Sequence, residues 1–173
     1  AQFSVPPLSA PLVRKTFKRF FGVDPNQMFD TFSNDSIYAA SIGQVHKATI
    51  GEKKFAVKIQ YPGVADSISS DLAMVKPIAM RMFNLQGKDS ERYFKEVEQK
   101  LLEETNYELE LQQGQFIANA CKEIPNLKFP NYYKEFSNGK ILTMDWMDGV
   151  HLSEFSIKNT NQALANQIGQ TLW

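Results

Sequence analysis

A strand lysine and a loop of small residues are the features of this sequence best suited to chemistry. Lys58 lies in "FAVKIQ", whose apolar residues alternate as they do in a half-buried strand. The segment "DSIYAASIGQVH", residues 35–46, is rich in small residues and has Gly43 as its one glycine. Backbone N–H groups of such a loop can approach phosphate oxygens, and a lysine places a positive charge beside them. Together they predict a phosphate-binding site, with an exposed lysine and a packed hairpin as the structural alternatives.

A glutamate on a long helical pattern is the predicted partner of this lysine. Residues 91 to about 123 form the longest helical pattern in the chain. Glu104 lies seven residues after Val97 and three after Leu101, which places it on the apolar stripe of that helix. A buried carboxylate without a partner costs on the order of several kcal/mol. We therefore expect Glu104 to face a cation, for which Lys58 is the candidate.

The elements that must position these residues follow from the same periodicities. Lys58 lies in the second strand of a hairpin whose connection contains Gly51, and Asn138-Gly139 predicts a second hairpin. Pro77 predicts a kink or break in the helix that contains it. Helices, hairpin, long helix, hairpin and further helices follow one another, which predicts an α+β domain. Helical patterns cover the segments 12–21, 25–30, 67–83 and 91–123, and both "HLSEF" and the segment 161–173 have the pattern of a helix start.

Composition and charge exclude several classes of function. The 173 residues contain 19 basic and 19 acidic side chains, so no excess positive charge is available to bind nucleic acid. Cys121 is the single cysteine, which excludes an intramolecular disulfide, and His46 and His151 are too few for a zinc site. The sequence shows neither a signal peptide pattern nor a run of about 18 apolar residues. We expect a cytoplasmic location without a metal site in these residues.

Four motifs taken together resemble one known family. "AASIGQVHKA", "AVKIQYPGV", "EETNYELE" and "ILTMDWMDG" are similar, in this order, to motifs of the UbiB-type (AarF) family of atypical protein-kinase-like proteins, over about residues 35 to 150. The resemblance implies a protein-kinase-like N-lobe, an antiparallel sheet with a long C-type helix and extra helices, and the start of a helical C-lobe. The implied divisions are an N-terminal helical extension at 1–34, the N-lobe and hinge at 35–147, and the truncated C-lobe at 148–173.

The resemblance also assigns the nucleotide-binding residues. Lys58 corresponds to the nucleotide-coordinating lysine and Glu104 to its helix partner, while Asp145-Trp146-Met147 corresponds to the hinge whose backbone would meet adenine. An alanine-rich loop replaces the glycine-rich loop of ordinary kinases. Its positions here are Ala39, Ala40, Ser41, Ile42 and Gly43.

This sequence departs from the family pattern in three places. Asn106 stands where the E-x-D motif that begins at Glu104 has aspartate, and Glu110 matches a further acidic position. No K-x-G-Q motif occurs in residues 1–22. The catalytic-loop Asp and Asn and the metal-binding Asp of a kinase would follow residue 173. We therefore expect no catalytic residue in this chain, and metal ligands only in the missing C-lobe.

The implied function is the ATP-binding portion of an atypical kinase or ATPase that supports isoprenoid quinone biosynthesis or membrane lipid homeostasis. The expected cofactor is ATP or ADP with Mg²⁺, and the candidate partners are nucleotide, membrane lipid and quinone-biosynthesis proteins, with peripheral attachment to a membrane. One alternative is a pseudokinase-type scaffold or a lipid- and quinone-protein chaperone that binds nucleotide without turnover. Another is an interaction scaffold that uses the methionine-rich segment "LAMVKPIAMRMFNL".

Overall fold

Helices and one antiparallel sheet alternate along the chain in a computed structural model that describes residues 7–82, 88–150 and 162–172. The α+β prediction is confirmed. The described helices are α1 (Ala10–Phe21), α2 (Pro25–Met28), α3 (Val64–Met82), α4 (Lys88–Glu104), α5 (Tyr107–Ala120) and α6 (Gln162–Leu172). The strands are β1 (Thr31–Phe32), β2 (Tyr38–Ala40), β3 (Gly43–Ile50), β4 (Lys53–Gln60) and β5 (Ile141–Asp145).

The sheet places the lysine strand in its centre. Its order is β1-β3-β4-β5, and β2 also pairs with β3. All of these pairings are antiparallel, with Val45 opposite Lys58 on one side of β4 and Leu142 opposite Lys58 on the other. The predicted β3–β4 hairpin is confirmed, and Gly51 at its turn adopts the left-handed φ of 57° that glycine tolerates best.

The N-terminal helices and β1 cover one face of this sheet. Phe17 of α1 packs edge-on against Phe29 and Phe32, and Phe29 in turn contacts Phe55 of β4. The division predicted at residue 34 stays a prediction, but the segment before it shares both the sheet and the core with the segment after it. The fully buried part of this core comprises Val13, Phe17, Phe29, Ala48, Phe55, Val57, Ile59 and Ile141.

A chain of polar groups crosses the same covered face. The Leu8 N–H donates to Oε1 of Gln44 at 2.7 Å, and Nε2 of Gln44 lies 2.7 Å from Nε2 of His46. Since an amide Nε2 can only donate, His46 accepts there and its Nδ1–H donates to the Ser33 carbonyl at 2.9 Å. Burial lowers the pKa of His46, against the opposing effects of Ser33 and Asp35. His46 is therefore a neutral structural residue, whereas His151 lies outside the described residues.

Helix α5 packs on the opposite face of the sheet, beside Lys58. Tyr107 and Leu111 bury their side chains against Leu142 of β5. Ile42, Tyr132 and Met144 complete this smaller cluster. The two faces thus have different roles: the N-terminal helices cover one, and α5 lies beneath the lysine on the other.

Two sequence predictions about elements are wrong. The long helix predicted for 91–123 is divided, because α4 ends at Glu104 and α5 starts at Tyr107. Asn106 between them is extended and caps α5, its Oδ1 accepting from the Leu109 N–H at 3.2 Å. The chain does turn back antiparallel at Asn138-Gly139, with isolated bridges between Tyr132 and Met144 and between Asn138 and Ile141. The predicted first strand of this hairpin is wrong, because a 3₁₀ turn occupies Lys134–Phe136.

Three further predictions concern helices. Helix α3 continues through Pro77 instead of breaking there. The helical pattern near the end of the chain is confirmed by α6, whereas the one at "HLSEF" lies outside the described residues. No described helix combines the length and apolar character that crossing a bilayer requires.

Candidate functional site

Lys58 forms an ion pair with Glu110, and the predicted pairing with Glu104 is wrong. Nζ of Lys58 lies 2.9 Å from both carboxylate oxygens of Glu110. The lysine side chain is 15% exposed and the glutamate 36%, so the pair lies at the edge of the interior. Glu104 is exposed at the end of α4, and Leu101, which was expected to share a buried stripe with it, is itself 40% exposed. The carboxylate that faces the sheet therefore comes from the next helix.

The start of α5 explains why Glu110 and not Glu104 reaches the lysine. With Asn106 as its cap, α5 places Tyr107 and Glu110 three residues apart and hence on the same face. The Tyr107 ring centre lies 4.6 Å from Nζ of Lys58. The ammonium is thus held by a carboxylate and by the face of an aromatic ring. An Asx cap after a threonine, followed by an i, i+3 Tyr-Glu pair, is the sequence signal that could have identified this arrangement.

A buried glutamine fixes the helix break relative to the lysine strand. Gln60, two residues after Lys58, is 3% exposed, and its Nε2 donates to the Thr105 carbonyl at 2.9 Å. Its Oε1 accepts from Nζ of Lys140 at 2.5 Å, and its N–H donates to the Lys140 carbonyl at 3.0 Å. The end of β4, the α4–α5 break and the segment before β5 are therefore joined at one residue, which sequence reasoning missed.

The predicted loop is a tight turn between β2 and β3. Ala39 and Ala40 belong to β2, Ser41 and Ile42 form the turn, and Ala40 pairs with Gly43. Ala39 and Ser41 are exposed, whereas Ile42 packs in the cluster around Tyr107. Small side chains therefore line a turn that leads directly to the Lys58 side of the sheet.

Gly43 lacks a side chain because neighbouring atoms lie too close for one, not because its backbone is left-handed. Its φ lies outside the left-handed region, which among the described glycines is occupied at Gly22, Gly51 and Gly63. A Cβ on Gly43 would lie 2.4 Å from the Ile59 carbonyl oxygen and 2.9 Å from the Tyr107 hydroxyl. The base of the loop thus touches the same tyrosine that contacts Lys58.

The hinge segment carries its predicted residues in two different environments. The Asp145 carboxylate accepts from the Asn131 N–H at 2.9 Å, from Nδ2 of Asn131 at 2.6 Å and from the Tyr133 hydroxyl at 2.5 Å. Burial alone would raise the pKa of Asp145, but these hydrogen bonds and Lys53 together lower it. Met147 is 49% exposed. The Asp145 side chain therefore holds the hinge in place, and the Asp145 and Trp146 N–H groups donate to the Asn131 and Lys54 carbonyls at 2.9 and 3.1 Å.

An aromatic contact joins the hinge to the loop. The rings of Trp146 and Tyr38, which starts β2, stack with centres 5.8 Å apart, and Nζ of Lys47 lies 4.6 Å from the Trp146 ring centre. The indole N–H donates to Asp148 at 3.0 Å, and Asp148 pairs with Lys54 at 3.4 Å. Sequence reasoning missed the contact between Tyr38 and Trp146 because these two residues are more than 100 positions apart.

The similarity of this chain to known proteins identifies its family. The sequence matches the family model described as "ABC1 atypical kinase-like domain" over residues 1–173. The chain belongs to the ABC1 atypical kinase-like family. The predicted relationship to UbiB-type (AarF) proteins is thereby confirmed, and one similar protein, from Arabidopsis thaliana, is named as an aarF domain-containing protein kinase.

Relatives of this ABC1 chain are longer than the chain itself. The probable serine/threonine-protein kinase abkA of Dictyostelium discoideum is 31% identical over 96% of this chain and 32% of its own length. The mitochondrial atypical kinase COQ8B of Danio rerio is 30% identical over 81% of this chain and 23% of its own length. The structure of Rv3197 with erythromycin, from Mycobacterium tuberculosis, matches with a TM-score of 0.76 at 29% identity, over 95% of this chain and 42% of that one. The kinase-like fold class is therefore confirmed.

Proposed function

We propose that this chain is the nucleotide-binding lobe of an ABC1-family kinase or ATPase. The observation that carries the proposal is the ion pair of Lys58 with Glu110, 2.9 Å long and located beside the alanine-rich turn. An ammonium has three N–H donors, and the Glu110 oxygens accept from it at two short distances. One donor remains for a phosphate oxygen. The arrangement therefore fits a lysine that is held in place to receive a phosphate.

The roles of the other residues follow from their positions. Glu110 orients Lys58, while backbone N–H groups of residues 39–43 approach the phosphates from the side of the β2–β3 turn. The hinge backbone between Asp145 and Met147 would contact adenine. The Asp145 and Trp146 N–H groups already donate to the Asn131 and Lys54 carbonyls, so the Met147 N–H is the candidate donor of these three. The described residues hold no group of three or more His, Cys, Asp and Glu side chains suited to a metal ion. By the family resemblance, the carboxylates that hold Mg²⁺ would come from the C-lobe.

The activity of the complete protein is proposed by relationship. Relatives named as atypical kinases, among them COQ8B, support phosphoryl transfer or ATP hydrolysis by the full-length protein. The family resemblance supports a role in isoprenoid quinone biosynthesis or membrane lipid homeostasis at a peripheral membrane location. The second candidate is a scaffold or chaperone that binds nucleotide without turnover. It is favoured by Asn106, which replaces a family carboxylate yet serves here as a helix cap.

The test is nucleotide binding by the full-length protein that contains this chain. The melting temperature is measured with ADP and with ATP, each with and without Mg²⁺, for the wild type, Lys58→Ala and Glu110→Gln. Glu104→Gln is the matched control, because it makes the same chemical change at an exposed position on the preceding helix. We expect nucleotide to raise the wild-type melting temperature, with the rise lost in the first two variants and kept in the control.

Three outcomes would contradict parts of the proposal. A well-folded wild type without any nucleotide-dependent shift would reject nucleotide binding. Loss of the shift in Glu104→Gln but not in Glu110→Gln would reject the assigned ion pair. Binding that survives both Lys58→Ala and Glu110→Gln would move the nucleotide to another site. Turnover of ATP by the wild type, absent in Lys58→Ala, separates the enzyme from the scaffold.

A further inference from the structure

Tyr107 is a fully buried tyrosine in contact with both the lysine and the loop. Its side chain is 0% exposed, and its ring centre lies 4.6 Å from Nζ of Lys58. Its hydroxyl would be 2.9 Å from a Cβ built on Gly43, which closes the turn of the loop by pairing with Ala40. One side chain therefore connects the base of the loop to the ammonium.

The Tyr107 hydroxyl has no hydrogen-bond partner among the described residues. A buried hydroxyl without a partner destabilises a fold, and phenylalanine would offer the same ring to the ammonium without that cost. Burial, together with the charges of Glu110 and Glu104, raises the pKa of Tyr107, so the hydroxyl keeps its proton. The hydroxyl is thus a neutral donor that is available to a partner in another state of the site.

A phosphate between the loop and Lys58 would displace both neighbours of this tyrosine. Gly43 begins β3 directly after the turn residues Ser41 and Ile42, so a movement of the turn shifts the peptide groups next to the Tyr107 hydroxyl. Lys58 would at the same time direct its remaining donor towards the phosphate. The first change acts on the Tyr107 hydroxyl and the second on its ring.

We propose that Tyr107 is a positioning residue that couples the alanine-rich loop to Lys58. Its ring holds the ammonium, and its hydroxyl donates to a backbone carbonyl at the base of the loop when a nucleotide phosphate draws the loop towards the lysine. This inference rests on the proposed nucleotide site and deepens it. It explains both the buried hydroxyl and the requirement for glycine beside it.

The test separates stability from nucleotide affinity in the full-length protein. The urea unfolding midpoint without nucleotide and the dissociation constant for ADP are measured for the wild type, Tyr107→Phe and Tyr107→Leu. Tyr132→Phe is the matched control, since Tyr132 belongs to the same cluster and its ring lies against Gly114 of α5. We expect Tyr107→Phe to keep or raise the midpoint while weakening ADP binding about three- to tenfold, which is the effect of one hydrogen bond. Tyr107→Leu should lower both, and the control should leave ADP binding unchanged.

The inference fails separately from the proposed function. Wild-type ADP affinity in Tyr107→Phe, with binding intact in the wild type, would overturn the coupling and leave the nucleotide site standing. Parallel losses of midpoint and affinity in Tyr107→Phe would assign a purely structural role. If the wild type binds no nucleotide, the coupling falls with the proposed function. In that case the contact between the Tyr107 ring and Lys58 is tested by urea unfolding midpoints alone. If the midpoint losses of Lys58→Met and Tyr107→Leu are additive in the double variant, this contact is overturned as well.

Discussion

Replacing Gly43 with alanine tests the close packing at the base of the loop. The added Cβ would lie 2.4 Å from the Ile59 carbonyl oxygen and 2.9 Å from the Tyr107 hydroxyl, both closer than ordinary van der Waals contact. Ile59 belongs to β4, which is paired on both sides, so its carbonyl cannot retreat without disturbing the sheet. Because the φ of Gly43 is not left-handed, the variant isolates this steric conflict from backbone strain.

The magnitude follows from two opposing effects. Overpacking of a well-packed site costs about 1–3 kcal/mol, and the upper end applies where the obstacle is backbone. Alanine recovers about 0.5–1 kcal/mol because it restricts the unfolded chain. The expected net loss is about 2 kcal/mol of unfolding free energy. For a protein of this size, that loss corresponds to a melting temperature lower by about 4–8 °C.

The assay is thermal and urea unfolding followed by circular dichroism, with Gly139→Ala as the control. A Cβ on Gly139 meets nothing within 4 Å, so we expect a change within about 0.5 kcal/mol there. Equal stability of the two variants would refute the steric reasoning. Adding Tyr107→Phe to Gly43→Ala should recover only part of the loss, because the shorter contact, to the Ile59 carbonyl, remains.

Three further predictions concern other contacts in the lobe. Burial lowers the pKa of His46, so below about pH 6.5 the unfolded state binds more protons than the folded state. The unfolding free energy should therefore decrease by up to about 1.4 kcal/mol for each pH unit below that value. His46→Gln should remove this contribution when urea unfolding is measured as a function of pH. Asn106→Ala should cost about 1 kcal/mol of unfolding free energy through loss of the cap, whereas Asn106→Asp should be nearly neutral. Gly114→Ala should lower the melting temperature, since its Cβ would lie 2.5 Å from the Tyr132 ring. The double variant Gly114→Ala with Tyr132→Leu should regain part of the lost melting temperature, and absence of that recovery would contradict the assigned contact.

Sequence reasoning identified the features that depend on local periodicity. Alternation in "FAVKIQ" placed Lys58 on the strand face opposite Phe55, Val57 and Ile59, and the register of the sheet agrees. The β3–β4 hairpin was predicted from two strand patterns joined at Gly51, and the turn before it from its small residues. The combined motifs predicted the family, which the match over residues 1–173 confirms.

The partner of Lys58 was not predictable in this way. Glu104 shares a face of α4 with Val97 and Leu101, as predicted, but this face is not buried, since Leu101 is 40% exposed. Helix α4 ends at Glu104, and the new helix that starts at Tyr107 brings Glu110 to the sheet instead. That break is held by Gln60, 45 residues away, through its bond to the Thr105 carbonyl. A helical pattern carries no information about such a long-range bond.

Residue patterns alone were therefore sufficient to predict most helices and strands, the family, and the strand face that carries Lys58. The packing of distant segments was needed to show that Glu110 meets this lysine, that Tyr107 lies between it and the loop, and that Gly43 must lack a side chain. Periodicity is a property of neighbouring residues, whereas these contacts depend on how β4 and α5 pack against each other. The distance between two packed elements is set by all the side chains between them, so no single segment encodes it.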